Sequence, residues 1–383
     1  MKKKTEKEYI HHKAYKYRIY PNKEQENLIK RTFGSVRFIY NKMLEDRKAI
    51  YSRYKDDKVT LKQQKPPTPA SYKSEYPWLK EIDSLALANA QMNLNTAYNN
   101  FFRAPSVGFP KFKSKNKDKK SYTTNNQKGS IRLIDYSHIL IPKLKNIKIK
   151  MHRQLPKNAV IKSATISQTA TGKYYISILV EIEIDIQPVI PRKETTLGLD
   201  YSSKTLYVDN LGNSGDYPKF YRKAEAKLKK EQRKHSKRKK GSKNREKQRQ
   251  KVARLHEKVV NQRKDFLHKR SRQIANAYDA VVIEDLNMRA MAQGLHLAKS
   301  TNDNGYGMLK TFLGYKLKER GKQLIVIDKW YPSSKVCHVC GTKNSQLTLD
   351  DRVWTCSCEA ILDRDINAAI NIKNEGWRML GVA

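Results

Sequence analysis

Cysteine is scarce in this sequence, and neither an export signal nor a membrane-spanning apolar run is recognisable in it. The four cysteines in 383 residues all fall in the last fifth of the chain, a clustering that favours metal ligands over disulfides. The N-terminal segment MKKKTEKEYI is basic without an apolar core, and no run approaches the roughly 20 apolar residues of a membrane helix. We therefore expect a cytoplasmic or nucleoid-associated protein without a membrane partner.

Acidic residues are also in short supply. The chain has 37 Asp and Glu against 79 Lys and Arg, which gives a formal net charge of +42. Such an excess repels itself unless a polyanion neutralises it, so a nucleic-acid partner is favoured over an acidic protein or a membrane surface. The 38% of hydrophobic residues is enough for folded cores, and the length indicates two to three domains.

The N-terminal half combines β-like and helical patterns. Residues 14–20 alternate apolar and polar side chains like a strand, and one or two amphipathic helices follow the turn at Pro21. A further helix is predicted from Ser84 to Phe102, and residues 130–190 alternate again. These patterns predict a β-barrel-like module with a helical insertion.

The pattern changes at Pro191. TTLGLDYSSKTLYVDNLGN predicts a strand, a turn and a returning strand, and further strands are predicted at DAVVIEDL and QLIVIDKWY, with a helix near 305–320 between them. This order is typical of an RNase H-like α/β sheet, so the whole chain is predicted to be an α+β multidomain protein.

Two long basic helices are predicted within residues 219–278, with a turn at Gly241-Ser242. So much charge on a helix is often only a solvated surface. Here aromatic and histidine side chains interleave with charge of almost one sign, which favours contact with a nucleic-acid backbone. The candidate phosphate contacts on these helices are Lys229, Lys230, Arg233, Lys237, Arg238 and Lys239. Lys111 and Lys113 are the candidates in the basic loop 109–120.

The cysteines form two pairs, Cys337 with Cys340 and Cys356 with Cys358. Two such knuckles supply the four soft ligands of one structural Zn²⁺ without leaving an open coordination position. The second pair is C-x-C rather than C-x-x-C, so its knuckle is tighter. His338, inside the first pair, is predicted to be a surface residue rather than a ligand.

Three acidic positions follow apolar segments at widely separated points of the chain. Asp200 ends TTLGLD, Glu284 ends AVVIE, and Asp363 and Asp365 lie in LDRDINAAINI before a predicted helix. Alternation places Glu284 and its neighbour Asp285 on opposite faces of a strand, so only one can face a shared site. Carboxylates from three such places suit two Mg²⁺ ions in a site that cleaves phosphodiesters.

The chain resembles the TnpB family, the transposon-encoded, RNA-guided DNA endonucleases related to type V CRISPR effectors. The resemblance covers nearly the whole length and is carried by KYRIYPNKEQ, RTFGSVRFIYNKMLEDR, VGFPKFKSK, GLDYSS, VVIEDLNM, WYPSSKVCHVCG and LDRDINAAINI. It implies a RuvC-like metal-binding triad of Asp200, Glu284 and Asp365, with Asp363 as the fallback for the third ligand.

The resemblance also implies a domain plan. A wedge-like β-barrel would comprise residues 1–23 and 104–190, a helical recognition domain residues 24–103, and the RuvC-like nuclease domain residues 191–383 with a zinc ribbon at about 330–362. Residues around Tyr51, Ser84 and Thr123 would contact a short motif in the target duplex.

The resemblance implies particular partners as well. They are a guide RNA from the transposon end and a double-stranded DNA target, bound by a monomer in a prokaryotic host. The alternatives are a nuclease-inactive RNA-guided repressor, which the presence of all three carboxylates disfavours, and an accessory transposase. For the latter, the sequence shows no tyrosine nucleophile with paired histidine ligands.

Overall fold

A computed structural model describes residues 10–294, 298–348 and 350–381 of the chain. The chain divides into two compact units, with the boundary between Asp185 and Ile186. Among the described residues, the helices are all too short or too polar to cross a membrane.

The first unit is built on a seven-stranded antiparallel sheet in the order β2-β6-β7-β1-β5-β4-β3. Strand β7 shows why these segments pair: its residues YYISILVEIE alternate buried and partly exposed, so one face enters the core. The strands are β1 (Ile10–Tyr20), β2 (Lys120–Asn125), β3 (Arg132–Leu133), β4 (His138–Ile141), β5 (Lys145–Lys150), β6 (Val160–Gln168) and β7 (Tyr174–Glu183).

The barrel predicted from the sequence appears here as a sheet with two end strands. Strands β2 and β3 lie at opposite ends of the strand order, and no ladder joins them among the described residues. The strand pairings therefore show the β content that the alternating pattern predicts, and a closed barrel is not shown.

The helices between β1 and β2 are α1 (Lys23–Tyr54), α2 (Lys58–Gln63), α3 (Tyr72–Glu75) and α4 (Ser84–Arg103). Helix α1 is a single helix of 32 residues, where the sequence left one or two open. Asn22 starts it with a capping box, in which its side chain accepts from the Gln25 N–H at 2.8 Å and its own N–H donates to the Gln25 side chain. Apolar side chains of α1 and α4, including Met43 and Leu87, form a buried cluster.

The second unit contains a four-stranded sheet in the order β11-β10-β8-β9. Strand β10 is parallel to both of its neighbours, and β9 is antiparallel to β8. The strands are β8 (Thr196–Ser202), β9 (Leu206–Asp209), β10 (Ala280–Glu284) and β11 (Gln323–Ile327), and a separate hairpin is formed by β12 (Val353–Thr355) and β13 (Ile361–Asp363).

The remaining helices are α5 (Phe220–Lys237), α6 (Lys243–Ala277), α7 (Met288–Gly294), α8 (Ala298–Asn304), α9 (Tyr306–Lys318) and α10 (Arg364–Met379). Helices α5 and α6 pack against each other, and Gly241 turns the chain between them with a φ of +81°. The C-terminal part of α6 contributes Leu267 and Ile274 to the core of the unit.

Helix α10 lies close against the centre of the sheet because two glycines leave room for it. A Cβ at Gly198 in β8 would stand 2.2 Å from the Ala369 carbonyl oxygen, and a Cβ at Gly376 in α10 would stand 2.3 Å from a Val282 methyl group. Larger residues at these positions would push the helix outward. This packing fixes the start of α10 near the ends of β8 and β10.

Candidate active site and metal centre

Two of the predicted acidic residues sit at the same edge of the second sheet. Leu199 in β8 pairs with Ile283 in β10, so Asp200 and Glu284 are the next residues on neighbouring parallel strands. The carboxyl ends of parallel strands meet at one sheet edge, which is where such folds place their ligands. Glu284 is buried and Asp200 is partly buried.

The electrostatics bring Asp365 into the same group. Burial raises the pKa of Asp200 well above its ordinary value, and the negative charges of Glu284 and Asp365 raise it further, while Arg364 lowers it. Burial also raises the pKa of Glu284, which a hydrogen bond from Ser333 lowers. A partly buried carboxylate that two other carboxylates repel is an arrangement that a cation would stabilise.

The structure separates the two candidates for the third carboxylate. One carboxylate oxygen of Asp363 accepts the N–H groups of Asp365 at 3.0 Å and Ile366 at 2.9 Å, so Asp363 is the N-cap of α10. Asp365, in the first turn, has its carboxylate within 3.7 Å of the Arg352 guanidinium and 4.0 Å of that of Arg364. One acid therefore starts the helix and the other is coupled to Asp200.

Glu284 and Asp285 differ as strand alternation predicts. Asp285 is exposed and its carboxylate lies 2.9 Å from the Lys310 ammonium, which lowers the pKa of Asp285. Glu284 instead accepts a hydrogen bond of 2.7 Å from the buried Ser333 hydroxyl. Only Glu284 faces the acidic cluster.

A network of buried polar side chains, which the sequence pattern does not predict, supports this site. Asn371 in α10 donates to the carbonyl oxygens of Ser333 at 2.8 Å and Val336 at 2.6 Å, and Asn367 donates to Val336 at 2.8 Å. The chain before the first cysteine pair is thus held to α10 while its Ser333 hydroxyl holds Glu284. The nearest signal in the sequence is the polar pair Ser333-Ser334, which is separated from Cys337 by two residues.

The four cysteines converge as one group. Their sulfur atoms all lie within 4.8 Å of one another, with 3.8 Å between Cys337 and Cys358 and 3.6 Å between Cys340 and Cys356. A tetrahedral Zn²⁺ with Zn–S bonds of about 2.3 Å requires sulfur separations of about 3.8 Å. The donor set therefore fits a structural metal ion.

His338 is partly buried and lies outside the cysteine group. Its N–H donates to the Asn367 side-chain oxygen at 3.0 Å, and its ring Nδ1 is 2.9 Å from the same oxygen. The sequence predicts a surface residue rather than a ligand. The side chain is instead partly buried, because its contacts with Asn367 connect the first knuckle to α10.

Helices α5 and α6 with their connection form a helical hairpin, here called the basic hairpin, and its candidate phosphate contacts are all exposed. Four lie on α5 and two in the connection to α6, and Lys229 is also paired at 3.0 Å with Glu225 one turn earlier. The exposed residues are Lys229, Lys230, Arg233, Lys237, Arg238 and Lys239. They form a cationic surface on which basic side chains outnumber the acidic ones, Glu225 and Glu231.

The candidates in the first unit have different surroundings. Lys111 is exposed, whereas the Lys113 ammonium lies 3.9 Å from the centre of the Tyr40 ring and burial lowers its pKa. Tyr51 on α1 is exposed and lines a cavity of about 840 Å³ together with Arg47, Lys48, Tyr98, Phe102 and Phe109.

Two further candidates are tied to neighbours. The Ser84 hydroxyl, at the start of α4, accepts from the Lys73 ammonium at 2.8 Å. The Thr123 hydroxyl in β2 is 2.8 Å from that of Thr165 in β6. Both can still present an oxygen to a ligand, because a hydroxyl group has more than one hydrogen-bonding position.

Family models match three segments of the chain. The model described as "Probable transposase" matches residues 177–294, and the model described as "Cas12f1-like, TNB domain" matches residues 306–372, which include the four cysteines. A model described as "Helix-turn-helix domain" matches residues 11–56. In the structure that last segment is strand β1 followed by the single helix α1.

Two curated relatives match over almost their whole length. A Streptomyces pristinaespiralis protein is 37% identical over 371 residues, which cover 95% of this chain and 89% of the relative. The Escherichia coli K12 protein InsQ is 30% identical over 389 residues, which cover 96% of this chain and 93% of the relative. The description of both is "Putative RNA-guided DNA endonuclease".

A solved structure shares the fold. The protein chain in a cryo-EM structure of the Cas12f1-sgRNA-target DNA complex superposes with a TM-score of 0.61 and 13% identity, covering 95% of this chain and 99% of that one. At 13% identity, this similarity shows a shared fold and nothing further.

Proposed function

The chain belongs to the TnpB family of transposon-encoded proteins, and from that premise we propose that it is an RNA-guided DNA endonuclease. The observation that carries the proposal is the position of Asp200, which lies next to Glu284 at one sheet edge and interacts electrostatically with both Glu284 and Asp365 at the start of α10. A protein that only bound DNA would have no need to keep Asp200 partly buried beside two other acids that repel it.

The proposed metal ligands are Asp200, Glu284 and Asp365, with Asp363 assigned to the helix cap instead. Their oxygen donors fit two Mg²⁺ ions, which when bound would activate water and stabilise the leaving oxygen of the phosphodiester. The chain's own contribution is to hold the carboxylates in place: Ser333 orients Glu284, and the capped first turn of α10 orients Asp365.

The cysteine group is proposed to hold one structural Zn²⁺. Such an ion would fix the two knuckles around residues 330–362, and the hydrogen bonds from Asn367 and Asn371 connect the first knuckle to the helix that carries Asp365. A metal at the cysteines would thereby help to position a carboxylate at the nuclease site.

The proposed partners are a guide RNA from the transposon end and a double-stranded DNA target. The exposed cations of α5 and of its connection to α6 would contact phosphates, which carry no sequence information. Sequence specificity would come from base pairing with the guide, and a monomer would form the ribonucleoprotein. Tyr51, Ser84, Thr123, Lys111 and Lys113 are retained as candidates for contacts with the target duplex or guide.

The proposed domain plan assigns a wedge-like β-barrel to residues 1–23 and 104–190, a recognition domain to 24–103, and the RuvC-like domain to 191–383. The ends of this plan, residues 1–9 and 382–383, fall outside the described residues. The same holds for residues 295–297 and 349.

The test is to purify the full-length protein from its host, sequence the bound RNA, and offer DNA complementary to that RNA in Mg²⁺. We expect cutting by the wild type and by Asp285→Ala, because Asp285 faces away, and none by Asp200→Ala or Glu284→Gln. Near-normal cutting by Asp200→Ala would overturn the assignment. Guide-dependent DNA binding by the wild type without cutting would identify a repressor, and strand joining would identify a transposase.

A further inference from the structure

A short loop, residues 328–332, lies at the edge of the acidic cluster, and the residues on both sides of it, Ile327 and Ser333, contact Glu284. At one end, Ile327 pairs with Glu284 across the β10–β11 ladder, and its carbonyl oxygen accepts the Asp285 N–H at 3.1 Å. At the other end, the Ser333 hydroxyl donates to the Glu284 carboxylate at 2.7 Å. Trp330 lies midway, so no more than about 10 Å of extended chain separates it from either anchor.

In this loop one aromatic side chain, Trp330, is exposed to solvent and the next, Tyr331, is partly buried. Trp330 is 79% exposed, whereas Tyr331 is partly buried and packs against the cluster that contains Ile325, Ile327 and Ile372. The loop is held by its own hydrogen bonds, with the Trp330 backbone N–H donating to the Asp328 carboxylate at 2.7 Å. The outward position of Trp330 is therefore set by the loop geometry.

Exposure sets this indole apart from the other tryptophans. A tryptophan buries a large apolar surface when it finds a partner. The other three tryptophans are better covered, because Trp354 is 8% exposed, Trp78 is 40% exposed and Trp377 is partly buried. The Lys329 ammonium lies 4.9 Å from the centre of the Trp330 ring. The ammonium lies over one face of the ring, so the opposite face is the one that can take a nucleobase, with the cation close by for an adjoining phosphate.

We propose that Trp330 stacks on an unpaired base of the DNA strand being cut, next to the scissile phosphate, with Lys329 at the neighbouring phosphate. This inference rests on the proposed function and assigns Trp330 a contact with the strand that is cut. Only an unpaired base can accept the ring, because a base inside a duplex already has both faces stacked. Stacking is tolerant of sequence, since every base has a flat face. Trp330 would hold the strand over the carboxylates without choosing among bases.

The experiment combines a protein change with a DNA change. Full-length ribonucleoprotein cuts targets in which one nucleotide at a time, around the cut position, lacks its base. For the wild type we expect one position at which cutting slows by roughly 5- to 100-fold. Trp330→Ala should slow cutting of intact DNA to a similar extent and lose sensitivity to that position, while Trp330→Phe should largely restore both.

The matched control is Trp78→Ala, which removes another exposed tryptophan and should leave the position-dependent pattern as in the wild type. If the effects of Trp330→Ala and of the missing base multiply independently at every position, the stacking inference is wrong. A Trp330→Ala protein that loses only guide-RNA affinity would instead place this ring on the RNA.

A second readout does not depend on cutting. In Mg²⁺-free buffer, a short single-stranded oligonucleotide should quench more tryptophan fluorescence in the wild type than in Trp330→Phe, because direct stacking contact with a base quenches indole emission. If the wild type cuts no DNA with any guide, the proposed function is wrong, whatever the fluorescence quenching shows. If the wild type cuts but the two proteins quench equally, only the inference about Trp330 fails.

Discussion

Ser333 donates a hydrogen bond of 2.7 Å from its Oγ to Oε1 of Glu284, and both side chains are buried. The two residues are 49 positions apart, one at the end of a strand and the other in the segment that leads into the first cysteine knuckle. Since Asn371 in α10 holds the Ser333 carbonyl, one serine connects a strand, a knuckle and a helix at the acidic cluster.

Ser333→Ala should slow cutting by roughly 10- to 100-fold, because a hydrogen bond to a charged group contributes about 1.5–3 kcal/mol and here it fixes the orientation of a carboxylate. Cutting rates across a Mg²⁺ titration measure this. Ser333→Thr keeps the hydroxyl and should retain most of the rate. An unchanged rate and metal dependence in Ser333→Ala would mean that Glu284 is held without it.

Asp200→Asn should raise the melting temperature of the Mg²⁺-free protein at pH 8. Burial and the charges of Glu284 and Asp365 raise the pKa of Asp200 in the folded state. The folded state then binds the proton more tightly than the unfolded state, so the free energy of unfolding falls as the pH rises above the unfolded pKa. The gain from Asn should therefore shrink as the pH falls toward about 4.

Thermal unfolding of wild type and variant at several pH values tests this sign. Asp285→Asn is the control, because its pKa is lowered by Lys310 and its removal should not raise the melting temperature. Mg²⁺ should stabilise the wild type and have less effect on Asp200→Asn. A variant that melts below the wild type at pH 8 would show that the acids do not repel each other there.

Asp363→Asn and Asp365→Asn should behave differently although the residues are two positions apart. Asn is as good an N-cap as Asp, so Asp363→Asn should keep both the helix and the cutting activity. Asp365→Asn should abolish cutting with little change in stability. Asp363→Ala should lower the free energy of unfolding by about 1 kcal/mol. A dead Asp363→Asn beside an active Asp365→Asn would reverse the ligand assignment.

One Zn²⁺ per chain is expected at Cys337, Cys340, Cys356 and Cys358. Metal analysis of the pure protein measures it, and replacing any one of the four with Ser should lower the zinc content and misplace α10 through the contacts of Asn367 and Asn371. His338→Ala is the control and should retain one Zn²⁺, because His338 lies outside the sulfur group. Active protein that contains no zinc would contradict the assignment of a structural Zn²⁺ to these cysteines.

Exchanging the six exposed cations of the hairpin for glutamine should weaken binding about equally for all guide sequences. Each lost phosphate contact should reduce the slope of log affinity against log salt by about 0.7 to 0.9. The variant combines Lys229, Lys230, Arg233, Lys237, Arg238 and Lys239, and titrations at several salt concentrations measure it. Mismatch discrimination should survive, and an unchanged salt slope would identify these side chains as ordinary solvated surface.

Spacing and alternation are enough to predict the local features of this protein. The two cysteine pairs are short-range motifs, and the period of two along VVIED by itself places Glu284 and Asp285 on opposite faces of their strand. The basic hairpin is predicted in the same way, with its turn at Gly241, because charge and helical period are properties of neighbouring residues.

Other features were decided by the tertiary structure because they depend on contacts between distant segments. Whether Asp363 or Asp365 faces Asp200 depends on where α10 starts and on the glycines that let it approach the sheet. The role of Ser333 and the exposure of Trp330 follow from a loop that returns to Glu284. Local pattern sets which face a residue takes on its own element, and only packing between elements sets which side chains meet.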